Sequence, residues 1–302
     1  MRILRTAAAL AVALLAVSCS GSVPPPGGGP TPTVSDAWVY QLQGYPDGRL
    51  DELARAPQGV AVIDLARDAH ADYFRPDEIA TLRATGKLVL AYFEIGSIER
   101  FRPEYAALHA EHSELILNQW ADWPEEYFVA YWDPRWWDLV VRPRVDQALR
   151  AGFDGLYLDT PLAYEEVELS LTPGRDREDL AASMVALIAR ISTYGKARNP
   201  ELRIVPQNSP ELRHYPGYTE AIDGIGMEEL FVQATDEPCV EEFCAENLTE
   251  TRALRDAGKF VLAVDYADSD ELIASTCARY RQERFIGYVG VRALDRAGTS
   301  CG

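Results

Sequence analysis

The chain has 302 residues, is 47 per cent apolar, and sets 47 acidic against 29 basic side chains for a net charge of −18. The apolar share excludes a disordered polymer and leaves ample chain for a large core. The acidity argues against a nucleic-acid partner, whose phosphates call for Lys and Arg, and gives an anionic membrane surface nothing to attract.

In chain order, the first feature is an export signal. Arg2 and Arg5 precede an unbroken apolar run from Ala7 to Val17, suited to a signal-peptide core and too short for a membrane span of about 20 residues. Ala16-Val17-Ser18-Cys19 resembles a bacterial lipobox, which makes residues 1–18 a signal peptide and Cys19 a lipid-bearing N-terminus; cleavage by an ordinary signal peptidase also fits. Any membrane association is then expected only through this anchor. After Cys19, the stretch to residue 35 is uncharged and rich in Pro and Gly, a tether rather than a core. Residues 36–302 are expected to form one domain, exported to the cell surface or beyond.

Cysteine usage agrees with export. If Cys19 carries lipid, Cys239, Cys244, Cys277 and Cys301 remain, an even number in an oxidising compartment. The favoured pairing is Cys239–Cys244 with Cys277–Cys301, among three possible connectivities.

Eight short β-rich runs then recur: Ala37–Gln41, Val60–Asp64, Lys87–Phe93, Asp154–Asp159, Leu202–Gln207, Gly224–Glu228, Phe260–Asp265 and Gly287–Arg292. Helix-like segments such as Asp138–Arg150 and Leu180–Tyr194 lie between them, and Gly86, Gly152 and Gly258 mark helix ends just before strands. Eight alternating units predict an α/β fold of the (β/α)8 TIM-barrel type. A doubly wound sheet is disfavoured, because no glycine-rich phosphate loop follows the first strand. The long third connection, with Trp120, Trp123, Trp132, Trp136 and Trp137, reads as an inserted rim; Trp136 and Trp137 are expected to pack, Trp120 and Trp123 to be exposed.

Active sites of this barrel form at the C-terminal strand ends. Those ends carry Gln41, Asp64, Glu94, Asp159, Gln207 with Asn208, Glu228, Asp265 and Arg292. One such acid is as often a helix cap, but several around one mouth point to carboxylate chemistry. The four histidines show no metal-site spacing and no G-x-S-x-G elbow occurs, so no cofactor is expected. Acids beside aromatics and amides form the kit of a glycoside hydrolase. Strands four and six share a side-chain layer, which lets Asp159 and Glu228 aim into one space. Alternation selects Asp159 over Asp154; Glu228 over Glu229 depends on a one-residue register.

At these residues the chain resembles glycoside hydrolase family 114, the extracellular endo-α-1,4-polygalactosaminidase barrels. The matching pieces are Tyr40-Gln41-Leu42-Gln43, Val62-Ile63-Asp64-Leu65, Tyr92-Phe93-Glu94-Ile95-Gly96, Tyr131-Trp132-Asp133-Pro134, the run Gly152 to Asp159, Val205-Pro206-Gln207-Asn208 and the run Ile222 to Phe231. The resemblance implies retaining hydrolysis of α-1,4-linked galactosamine polymers, with the nucleophile at Asp159 and the acid/base at Glu228. Asp64, Glu94 and Asp265 are expected to hold sugar hydroxyls or ammonium groups, and Gln207 and Asn208 to hydrogen-bond near the cleaved bond. Tyr92, Tyr157 and Tyr266 are expected to line subsites. The alternative is a non-catalytic carbohydrate-binding lipoprotein on the same barrel, since fold does not fix function.

Overall fold

A computed structural model of the chain describes residues 37–233 and 236–301; the expected signal peptide, Cys19 and the Pro/Gly tract lie outside the described residues. Eight parallel strands form the centre: β1 (Trp38–Tyr40), β2 (Val60–Asp64), β3 (Leu88–Glu94), β4 (Gly155–Asp159), β5 (Arg203–Pro206), β6 (Gly224–Glu228), β7 (Phe260–Tyr266) and β8 (Ile286–Gly290). They pair in chain order as two sheets, β1 to β5 and β6 to β8. Bridges Gln207↔Gly226 and Ala37↔Gly287 join those sheets edge to edge and close the barrel. Each strand lies within a residue or two of its expected position.

The strands are almost continuously apolar because helices cover the outside and side chains fill the inside. All five residues of β2 are buried. The inner layers are aromatic: Tyr40 packs on Trp38 at 5.4 Å and on Tyr157 at 5.3 Å between ring centres, and Tyr157 on Tyr92 at 6.4 Å. Room for Tyr157 comes from β6, where a Cβ on Gly226 would lie 2.0 Å from the Tyr157 hydroxyl.

Helices Pro76–Arg83, Arg142–Ala151, Arg177–Lys196, Glu242–Asp256 and Asp270–Glu283 cover the outside. The capping box of Asp176 with Asp179 starts the longest of them. Gly152 ends Arg142–Ala151 in the left-handed conformation, at φ 86°, which favours glycine. Among the described residues no covering helix follows β8; Thr299–Ser300 instead runs antiparallel to it. Disulfide Cys277–Cys301 ties this tail to helix Asp270–Glu283, and Cys239–Cys244 closes the loop after β6, the favoured pairing. Among the described residues, no helix is long and apolar enough to cross a membrane.

The insertion between β3 and β4 folds as a three-stranded antiparallel sheet with Glu126–Val129 between Ser97–Glu99 and Ile116–Gln119. Trp136 and Trp137 are buried against the barrel, whereas Trp123 is 43% exposed and Trp120 half-buried.

Candidate active site

A cavity of about 510 Å³ opens at the C-terminal strand ends. Asp159, the last residue of β4, and Glu228, the last of β6, both line it. The backbone turns sharply just beyond each, at Thr160 (φ 59°) and Glu229 (φ 56°), and again at Asn208 after Gln207 (φ 59°). A β-branched residue in that region is uncommon and occurs where surrounding structure enforces it. At Thr160 the hydroxyl donates to the Asp159 carbonyl (2.8 Å) and accepts from the Gly96 N–H (3.0 Å).

The two carboxyls are held by different groups. The Tyr92 hydroxyl donates to Asp159 Oδ2 (2.5 Å) and the Thr160 N–H to Oδ1 (2.6 Å). Glu228 accepts from the Tyr266 hydroxyl, from Gln207 Nε2 and more distantly from Asn208 Nδ2 (3.4 Å). Gln207 is itself oriented by the Tyr40 hydroxyl, which donates to its Oε1 at 2.9 Å. Asn208 Oδ1 accepts the Glu228 N–H (3.0 Å), so the amide fixes both ends of that residue. Burial pushes Asp159 up to about 6. Burial, then the Asp159 charge, pushes Glu228 up to about 7. Tyr157 lies beneath them, its hydroxyl buried without a hydrogen-bond partner among the described residues and its own pKa raised by burial and then by the charges of Glu228 and Asp159.

Tyr92, Gln207, Asn208 and Tyr266 line the cavity beside the two acids. Asp64 does too, but Arg102 Nη1 donates to both its oxygens (2.9 and 3.1 Å) and the Ala66 N–H adds a third bond. Glu94, Tyr157 and Asp265 are not brought to the cavity wall. Glu94 is sealed between Arg102 (2.5 Å) and Arg144 (2.9 Å). Asp265 is fully buried, accepting from the N–H groups of Phe231 and Val232 (3.0 Å each) and the Tyr280 hydroxyl (2.5 Å). It shapes the loop after β6, so the expected sugar contacts of Glu94 and Asp265 are corrected to internal bracing. Tyr157 likewise supports the floor rather than offering a stacking face.

Other lining residues had no strand-end signal. Glu99 and Glu126 enter from the inserted sheet, and Glu165 and Glu211 from the loops after β4 and β5. Glu126 is buried, accepts from the Ser97 hydroxyl, and is pushed up to about 8 by burial and then by Asp159. The short β-prone run Tyr127-Phe128-Val129 was the available signal for its strand. Among the described residues no group of three His, Cys, Asp or Glu side chains is arranged to hold a metal ion.

Comparison with known proteins agrees with this architecture. A protein of Deinococcus radiodurans is 32% identical over 273 residues, covering 90% of this chain and 85% of its own. The glycoside hydrolase domain of PelA from Pseudomonas aeruginosa superposes with a TM-score of 0.68 at 20% identity, covering 87% of this chain and 98% of that one. Aspergillus fumigatus Ega3, solved with galactosamine, gives 0.67 at 18% identity over 89% of this chain and 96% of its own. The sequence model of Glycoside-hydrolase family GH114 matches residues 23–302. On that match, and with a barrel mouth built around paired carboxyls, the chain belongs to glycoside-hydrolase family GH114.

Proposed function

We propose that the chain hydrolyses α-1,4-linked galactosamine-containing polysaccharide with retention of configuration, using Asp159 and Glu228. The observation that carries this reading is the sharing of one cavity by two half-buried carboxyls held by different groups, Asp159 by Tyr92 and the Thr160 N–H and Glu228 by Tyr266, Gln207 and Asn208, with both titrations pushed up, to about 6 and about 7. Environments that separate the titrations of neighbouring acids in this way divide the roles of ionised and protonated partner. Asp159, the more readily ionised, attacks the anomeric carbon and forms a glycosyl ester as the glycosidic bond breaks. Glu228 gives its proton to the departing oxygen. Glu228, now ionised, then takes a proton from water, whose oxygen attacks the same carbon and releases Asp159. General acid–base assistance of this kind contributes about 10²–10⁴-fold.

Gln207, Asn208 and Tyr266 keep the Glu228 carboxyl aimed into the cavity, as Tyr92 does for Asp159. The galactosamine carried by the Ega3 structure supports an amino sugar as substrate. The two disulfides suit an oxidising compartment, in keeping with export as a lipoprotein through Cys19, and we read residues 36–302 as one domain.

Incubation of the chain with de-N-acetylated α-1,4-galactosamine oligomers, followed by mass spectrometry, tests the activity. Shorter oligomers are expected. Retention of intact oligomers without cleavage would make the chain a binding lipoprotein instead.

A further inference from the structure

The cavity wall is strongly acidic, with Glu99, Glu126, Glu165, Glu211 and Glu229 beside the reacting pair. Two arginines interrupt it. Arg102 is consumed by ion pairs to Asp64 and Glu94 and by a hydrogen bond to Glu99. Arg292, two residues beyond β8, is exposed and forms no ion pair among the described residues; its guanidinium lies over the ring of Trp123, 4.9 Å from the ring centre. Both residues line the cavity, though they come from the loop after β8 and from the insertion between β3 and β4.

Each is mounted on a braced turn. Trp123 sits in the turn between Ile116–Gln119 and Glu126–Val129, closed by Trp120 N–H to Glu126 O (2.9 Å) and Glu126 N–H to Trp123 O (2.9 Å). The loop bearing Arg292 is tied to the loop after β1: Leu294 O accepts from the Leu42 N–H (2.8 Å), and Ala293 O from Gln43 Nε2 (2.7 Å). A pair held on two hydrogen-bonded turns is a fixed feature of the wall. Contact between an exposed arginine and an indole contributes only about 0.5–1 kcal/mol, so it yields readily to a ligand.

We infer that Trp123 and Arg292 form a subsite that takes an N-acetylated sugar residue of the polymer. This inference rests on the proposed amino-sugar substrate and adds to it the acetylation pattern. Trp123, 43% exposed with the guanidinium over its ring, offers indole surface that suits the apolar face of a sugar and the acetyl methyl. The guanidinium donates to a carbonyl oxygen, which the amide of an N-acetyl sugar supplies, whereas the ammonium of a free amino sugar brings no acceptor and is repelled. The carboxylates elsewhere on the wall have the opposite preference. Together they select a polymer in which acetylated and free residues both occur.

Isothermal titration with two α-1,4-galactosamine tetramer preparations, one fully de-N-acetylated and one partly N-acetylated, tests the subsite. Binding is measured in an Asp159→Asn background, so it is read without turnover, and cleavage is followed separately in the native chain. Arg292→Ala is expected to weaken the partly acetylated tetramers about tenfold more than the free-amine ones, the loss of one charge-assisted hydrogen bond. Arg292→Lys should recover some of that ratio, and Trp123→Ala should weaken both ligands. An unchanged ratio of the two dissociation constants in Arg292→Ala overturns the subsite even if the native chain cleaves both. An Arg292-dependent ratio without cleavage keeps the subsite and overturns the hydrolase. No binding of either tetramer overturns both.

Discussion

Glu94 and Asp159 are register partners on adjacent strands, yet their carboxyls have opposite fates. Burial alone would raise Glu94, but Arg102 and then Arg144 overcome it and hold the group well below the usual carboxylate range. Asp159, half-buried at the cavity, receives no arginine hydrogen bond among the described residues, and its desolvation pushes it up instead. One carboxylate is thereby a fixed member of the scaffold, and its neighbour is left able to react.

If turnover runs through the proposed pair, the raised carboxyls set its pH dependence. The proposed mechanism needs Asp159 ionised and Glu228 protonated, so kcat/KM should rise through an apparent pKa of about 6 and fall through about 7. Both values belong to the coupled pair. In Glu228→Gln, assayed on an aryl glycoside whose leaving group needs no proton, the alkaline limb should vanish. A flat profile across this range in the native enzyme would contradict the pairing.

Arg102 carries the bracing of the inserted sheet. It joins Asp64 on β2 and Glu94 on β3 to Glu99 of the insertion. Glu99, pushed up to about 10 by burial and the Glu94 charge, keeps its proton and adds no third negative charge. Removing one partner from a buried ion network costs about 3–5 kcal/mol. Urea unfolding of Arg102→Met should lose stability of this order; a loss under about 1 kcal/mol would show that the network is dispensable.

The barrel was legible because its strands are buried on both faces and read as short apolar runs with an acid or amide at the end. That rule also led to Asp159, Glu228, Gln207 and Asn208. It could not tell which strand-end acids remain open to the cavity. Glu94 is closed by Arg144, which lies 50 residues away on a helix with no local signal of that contact. Asp265 is closed by backbone N–H groups of a loop 33 and 34 residues earlier. Glu126 and Trp123 were hidden in the insertion, whose sheet is made of strands of only three or four residues. Short strands give too few alternations to read.

Glu126 offers a test on stability. Its carboxyl is raised to about 8 in the fold, above its unfolded value of about 4.3. A raised acid favours the folded state while protonated, and that contribution is lost as pH rises from the unfolded value through the folded one. Glu126→Gln keeps an acceptor for Ser97 and cannot ionise. Its melting temperature should therefore exceed that of the native chain by an amount that grows between about pH 4.5 and 8 and then levels. A difference independent of pH would show that Glu126 is not a buried acid.

The central claim is that Asp159 is the nucleophile and Glu228 the acid/base of a retaining enzyme. Peptide mapping of the Glu228→Gln variant after brief exposure to an activated aryl α-galactosaminide tests it most directly. Without its general base the variant should form the glycosyl ester and release it slowly, so the peptide containing Asp159 should carry one added sugar, and added azide should discharge it. An unmodified Asp159 peptide during turnover, or a sugar attached at Glu229, would contradict the account.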